Sequence, residues 1–226
     1  MTTQLWKKRG RQALLAILLL TGTQTMAQHP AFRNDIQQFK KADSVQQPAK
    51  GGILFVGSSS FTKWKDVQEY FPAYPIINRG FGGSSLPDVI RYADDIIFPY
   101  QPKQIVVYCG DNDLAASDTV TAATVAARFQ QLFQLIRSRM PKVEIDYVSI
   151  KPSPSRSRLI PKMIAANEQI QAFLRKQQHA AFIDVFHPML DKDGQPRGEL
   201  FIEDRLHMNA TGYKIWQTAI QPYLKK

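Results

Sequence analysis

The stretch GGILFVGSSS, residues 51–60, decides the fold. Four consecutive apolar residues lie between glycines and give way abruptly to three serines. A half-exposed strand would alternate apolar and polar positions. An unbroken run this short suits a strand covered on both faces. Four more runs of the same kind follow: YPIINRG at 74–80, KQIVVYCG at 103–110, VEIDYVSI at 143–150 and HAAFIDVF at 179–186.

Helical patterns fall between these runs. Residues 84–98 place Leu86, Val89, Ile90, Ala93 and Ile97 at helical spacing. Residues 120–140 give the clearest helix, with Val125, Phe129, Leu132, Phe133 and Ile136 on one face and Pro141 after its end. Residues 162–177 and 209–224 supply two more. Strand and helix alternate throughout, which predicts a three-layer α/β/α sandwich around a flavodoxin-like parallel sheet of about five strands. In such sheets ligands bind beyond the carboxyl ends of the strands, so the loops there are where chemistry belongs.

The chain has 226 residues, 44% hydrophobic and 21% charged, a globular composition for one domain. Residues 1–27 stand apart. Lys7, Lys8, Arg9 and Arg11 precede the apolar ALLAILLL at 13–20, and small residues lead to Ala27. That order is the pattern of a signal peptide cut after Ala27. The expectation is an exported protein, periplasmic or secreted, with no stable membrane insertion once the leader is removed. Residues 28–50 form a polar segment with a short helix over 35–43, and 51–226 the main domain. Loss of the leader takes four basic and no acidic residues, lowering the formal charge from +10 to +6. A mild excess without a basic stripe argues against a nucleic-acid partner. The single cysteine, Cys109, excludes an internal disulfide and reads as a small buried residue at a strand end.

The strand-end loops carry the informative residues. Gly57-Ser58-Ser59-Ser60 follows the first strand, Asn78 to Ser85 (NRGFGGSS) the second, and Gly110-Asp111-Asn112-Asp113 the third. A basic, proline-rich loop with Lys151, Arg156, Arg158 and Lys162 follows the fourth. Asp204 and His207 lie three residues apart before the last helix. A serine that attacks an ester needs a histidine base, and the histidine needs a carboxylate on its other nitrogen. The developing oxyanion needs donors already in place. A serine, a glycine N–H, an asparagine amide and an Asp-x-x-His pair all map to one rim of the sheet.

Over roughly residues 51–222 the sequence resembles the SGNH hydrolases, or GDSL-type esterases and lipases. Gly57-Ser58-Ser59 matches the family's Gly-Asp-Ser block, with Ser58 in place of the aspartate. Gly83 matches the glycine block, Gly110-Asp111-Asn112-Asp113 the Gly-x-Asn-Asp block, and Asp204-Arg205-Leu206-His207 the Asp-x-x-His block. The resemblance implies a carboxylic ester hydrolase with Ser59, His207 and Asp204 as catalytic residues, and Ser59, Gly83 and Asn112 around the oxyanion. The lost aspartate leaves Ser58 and Ser60 as competing nucleophiles.

The implied substrate is a small-molecule or polysaccharide ester with a short acyl group, an O-acetylated carbohydrate among the candidates. A lysophospholipase or thioesterase of the same family is the alternative. Outside catalysis, an inactive glycan-binding module would keep the fold, and a hydroxyl-rich loop after the first strand could cradle a flavin phosphate. No paired-histidine or Cys-x-x-Cys spacing suggests a metal, and the mechanism needs no cofactor. His187 reads as structural, Trp64 as core, and the cations of the fourth loop as a solvated face or as contacts for an acidic group of the substrate. Nothing in the sequence sets the oligomeric state.

Overall fold

Five parallel strands, β1 (Ile53–Gly57), β2 (Ile76–Gly80), β3 (Gln104–Tyr108), β4 (Glu144–Val148) and β5 (Ala180–Ile183), form one sheet in the order β2-β1-β3-β4-β5. The computed structural model describes residues 31–226. The expected leader, residues 1–27, lies outside the described residues. The helices are α1 (Arg33–Val45), α2 (Ser59–Lys63), α3 (Val67–Tyr70), α4 (Leu86–Arg91), α5 (Ala93–Ile96), α6 (Asp111–Ala116), α7 (Ala122–Arg139), α8 (Ile160–Leu174) and α9 (Ala210–Ile220).

Successive residues of a strand point to opposite faces, and here both faces are covered. Leu54, Val56, Ile105 and Val107 pack with α4, α5, α7 and α8 on one side. Ile53, Phe55, Val106 and Tyr108 pack on the other with Phe61, Trp64, Tyr213 and Trp216. This is the three-layer α/β/α sandwich that the apolar strands predict. Val125, Phe129, Leu132, Phe133 and Ile136 of α7 are all buried, as their spacing requires.

The polar segment before the sheet is part of the same compact unit, which begins at Ala31. Helix α1 buries Ile36 in the core. Its Asp43 accepts a 2.5 Å hydrogen bond from the Tyr100 hydroxyl and pairs with Arg79 of β2. The helix expected over 84–98 breaks at Tyr92 (φ −100°, ψ 10°), giving α4 and α5.

Strand order reverses between β1 and β3: the chain leaves β1 for one edge of the sheet and returns to the other side of it. In open α/β sheets such a reversal is where ligands bind, outside the carboxyl ends of the strands. Ser59 opens α2 after β1, and Asp111 opens α6 after β3, so both sit at this point.

Candidate active site

Gly57 ends β1 with φ +137°, and a Cβ there would lie 1.9 Å from the Tyr108 carbonyl oxygen. Only glycine fits, because β1 and β3 converge at this point. The next residue donates its N–H to that same carbonyl at 2.9 Å, and the chain turns straight into α2. The three serines are thereby sorted. Ser58 and Ser60 are each 2% exposed. Ser59 is half-buried, and its Oγ lies 3.0 Å from His207 Nε2. The hydroxyls share no common cradle, since two of the three are shut away from solvent. That geometry does not fit a phosphate-binding loop.

His207 sits in a tight loop before α9. Ile202 N donates to the His207 carbonyl, Phe201 bridges Met208, and Arg205 takes a left-handed conformation (φ +56°) between them. Asp204 Oδ1 accepts the backbone N–H groups of Leu206 and His207 at 2.9 and 2.8 Å, while Oδ2 lies 2.6 Å from His207 Nδ1. Partial burial opposes ionisation of Asp204. The hydrogen bonds from the His207 ring, the His207 N–H and the Leu206 N–H outweigh it and hold the carboxyl down to about 2. A carboxylate fixed this way presents its second oxygen to one ring nitrogen and leaves the other facing Ser59. An imidazole so held can take the proton of a hydroxyl at 3.0 Å. Asn209 then starts α9, its side chain accepting from Thr211 and Gly212 N–H.

The groups expected around an oxyanion follow β1, β2 and β3. Gly83 has φ +85°, and the N–H groups of Ser59 and Gly83 donate to no described residue. For Ser59 this follows from its place at the start of a helix, where an N–H has no intrahelical partner. The Asn112 amide donates to the Ser84 carbonyl at 3.0 Å and to Ser58 Oγ at 2.7 Å. Asp113, next in the block, is fully buried and accepts from Leu86 N at 2.9 Å and from Arg128 at 2.8 Å. It ties the two loops together. Burial pushes its pKa up, against the pull of both donors.

Two of the four cations of the fourth loop, Lys151 and Arg156, correct the expectation of a solvated face. Lys151 is 1% exposed, with its Nζ 3.7 Å from Asp111 Oδ2. Arg156 pairs with Asp111 Oδ1 at 2.6 Å and donates from Nη2 to Asn112 Oδ1 at 2.9 Å. Arg158 and Lys162 reach outward instead, to the Asp118 side chain and to the carbonyls of Asp118 and Val120.

A family model for GDSL-like lipases and acylhydrolases matches residues 49–215. The chain belongs to the GDSL-like lipase/acylhydrolase family. As a member of this SGNH hydrolase superfamily it is a carboxylic ester hydrolase. Among characterised relatives, the alpha2 subunit of platelet-activating factor acetylhydrolase IB from Rattus norvegicus is 28% identical over 171 residues, 71% of this chain and 70% of the relative. A GDSL-like lipase from Bacteroides thetaiotaomicron superposes with a TM-score of 0.71 at 18% identity, covering 83% of this chain and 96% of the other. The acetyl xylan esterase AlAXEase superposes with a TM-score of 0.63 at 18% identity, over 76% and 99%. At that identity the two structures establish the fold alone.

The GDSL-like hydrolase carries a second Asp-x-x-His that sequence reading passed over: Asp184-Val185-Phe186-His187. Its geometry duplicates the first. Asp184 Oδ1 accepts Phe186 and His187 N–H, and Oδ2 lies 2.6 Å from His187 Nδ1. His187 borders a hollow of about 120 Å³, but the serine there, Ser149, is fully buried and its Oγ accepts two backbone N–H groups. Spacing alone does not separate the two pairs. Contact with a half-exposed serine does. As expected, Trp64 is core and Cys109 is a buried free thiol. Among the described residues no cluster of three or more His, Cys, Asp or Glu side chains could hold a metal ion.

Proposed function

We propose that this chain is an exported serine esterase that cleaves short O-acyl esters, with O-acetylated carbohydrate as the favoured substrate class. The observation that carries the reading is the unbroken chain from Ser59 Oγ through both His207 nitrogens to Asp204. In the proposed mechanism His207 Nε2 takes the Ser59 proton as Oγ attacks the ester carbonyl. Asp204 holds the ring tautomer and stabilises the imidazolium. The oxyanion is met by the N–H groups of Ser59 and Gly83 and by the Asn112 amide, which exchanges its hydrogen bond to Ser58 Oγ for one to the oxyanion. His207 then returns the proton to the leaving alcohol, and water repeats the sequence to free the acid.

The acyl preference rests on similarity: acetyl is named in both the rat acetylhydrolase and the acetyl xylan esterase. Export rests on the basic, apolar, small-residue order of residues 1–27. Among the described residues no helix is long and apolar enough to cross a membrane.

A p-nitrophenyl ester series from C2 to C12, run on wild type and Ser59→Ala, tests the reading. Turnover should peak at C2 and fall at least about 10³-fold in Ser59→Ala. Full activity in a folded Ser59→Ala would overturn the assignment, and a maximum at long chains would favour a lysophospholipase. Recovery of a periplasmic or secreted protein beginning at Gln28 tests export.

A further inference from the structure

We propose that Arg156 is a positioning residue that sets Asn112 for oxyanion binding, backed by the buried pair of Asp111 and Lys151. The proposal rests on the esterase reading above and adds a component to its site.

An asparagine amide can sit either way round, and only one orientation offers hydrogens to an oxyanion. Here the orientation is fixed from both ends. Arg156 Nη2 donates to Asn112 Oδ1 at 2.9 Å, and the Ser84 carbonyl accepts from Nδ2 at 3.0 Å. A flipped amide would face N–H against guanidinium and C=O against carbonyl. Ser58 Oγ, a neutral acceptor, holds the remaining hydrogen at 2.7 Å.

Arg156 is held in turn. Asp111, the residue before Asn112, is 5% exposed and takes the guanidinium at 2.6 Å. Lys151 stands on the other oxygen of Asp111 at 3.7 Å, and its Nζ makes no hydrogen bond among the described residues. Burial lowers the Lys151 pKa, and the Asp111 carboxylate opposes that shift. The positive guanidinium lies against the carbonyl end of the amide. It draws electron density from the N–H end and strengthens that donor towards a developing negative charge. The guanidinium's ion pair with Asp111 and its hydrogen bond to Asn112 assign it to holding the amide rather than to gripping substrate.

The test uses Arg156→Met, Arg156→Lys and Asn112→Ala, singly and combined, on neutral p-nitrophenyl acetate. Arg156→Met should lower kcat about tenfold or more, with KM within about twofold, a smaller loss than removal of an oxyanion donor outright. Arg156→Lys keeps the charge but cannot span Asp111 and Asn112, so it should recover part of the loss. In the Asn112→Ala background, Arg156→Met should cost almost nothing more, because its effect runs through the missing amide. The same fold-loss in both backgrounds would overturn the proposal. So would an unchanged kcat in folded Arg156→Met, or a change confined to KM. A second readout is independent of turnover. The Asn112 side-chain ¹H–¹⁵N signals, assigned by their absence in Asn112→Ala, should shift in Arg156→Met, and unshifted signals would remove the contact. Failure of the esterase reading would show separately, as wild-type turnover that survives Ser59→Ala.

Discussion

The Tyr213 hydroxyl donates to the Ser60 carbonyl at 2.8 Å, joining the helix that follows His207 to the turn that carries Ser59. The same ring stacks on Trp64 at 4.7 Å between centroids. Two segments far apart in sequence, one carrying Ser59 and one following His207, are thereby braced against each other. Tyr213→Phe keeps the stacking and removes the brace. It should lower stability by about 1 kcal/mol and kcat several-fold, with KM little changed. Thermal unfolding and steady-state kinetics on one preparation check both.

Asn112→Ala should depress kcat by about 10²–10³-fold with KM nearly intact, the pattern of an interaction made in the transition state. Active-site titration of the folded variant separates this from a loss of native protein.

His187→Ala provides a matched control. The Asp184–His187 pair has the same internal geometry as Asp204–His207 but no serine hydroxyl bonded to it. Its loss should leave kcat/KM within about twofold of wild type, whereas His207→Ala should lose about 10³-fold or more. Comparable losses in both variants would show the assignment of the base to be wrong.

Asp113→Ala should act mainly on folding. The carboxylate is fully buried and joins the Leu86 N–H to Arg128. Removing it strands a buried donor and should cost on the order of 2 kcal/mol or more. A lowered urea midpoint at unchanged m is the expected signature.

Asp146 sets a pH dependence of stability. Burial raises its pKa to about 7, with Glu144 adding and the Gln104 hydrogen bond opposing. An unfolded aspartate releases its proton near 4. Between those values the folded chain holds more protons than the unfolded one. This group's contribution to stability therefore falls as pH rises from about 4 to about 7, then levels off. Asp146→Asn should gain in Tm relative to wild type on going from pH 5 to pH 8. Parallel Tm curves would contradict this.

The sheet was legible because each strand is a short apolar run between turn residues, and the predicted runs contain all five observed strands. The loops that carry Ser59, Gly83, Asn112 and His207 followed from it, since they hang from strand ends. Less was visible where structure depends on tertiary contact. Helices α2 and α6 are five and six residues long, too short for a helical period to emerge. Lys151 looked like any lysine in a polar loop, and its burial beside Asp111 of α6 and the Phe201 ring is a tertiary contact that no local pattern announces. Ser59 could not be told from its neighbours by composition. The turn at Gly57 sorts the three by burying two of them.

Ser59 and His207 meet at 3.0 Å although 148 residues separate them along the chain. A polypeptide emerging from a ribosome or threading through a translocon has the serine long before it has the base. On the proposed mechanism, such a chain has no activity towards esters until both are in place. On that mechanism, the first turnover of a refolding sample reports that the loop before α9 has reached the turn after β1.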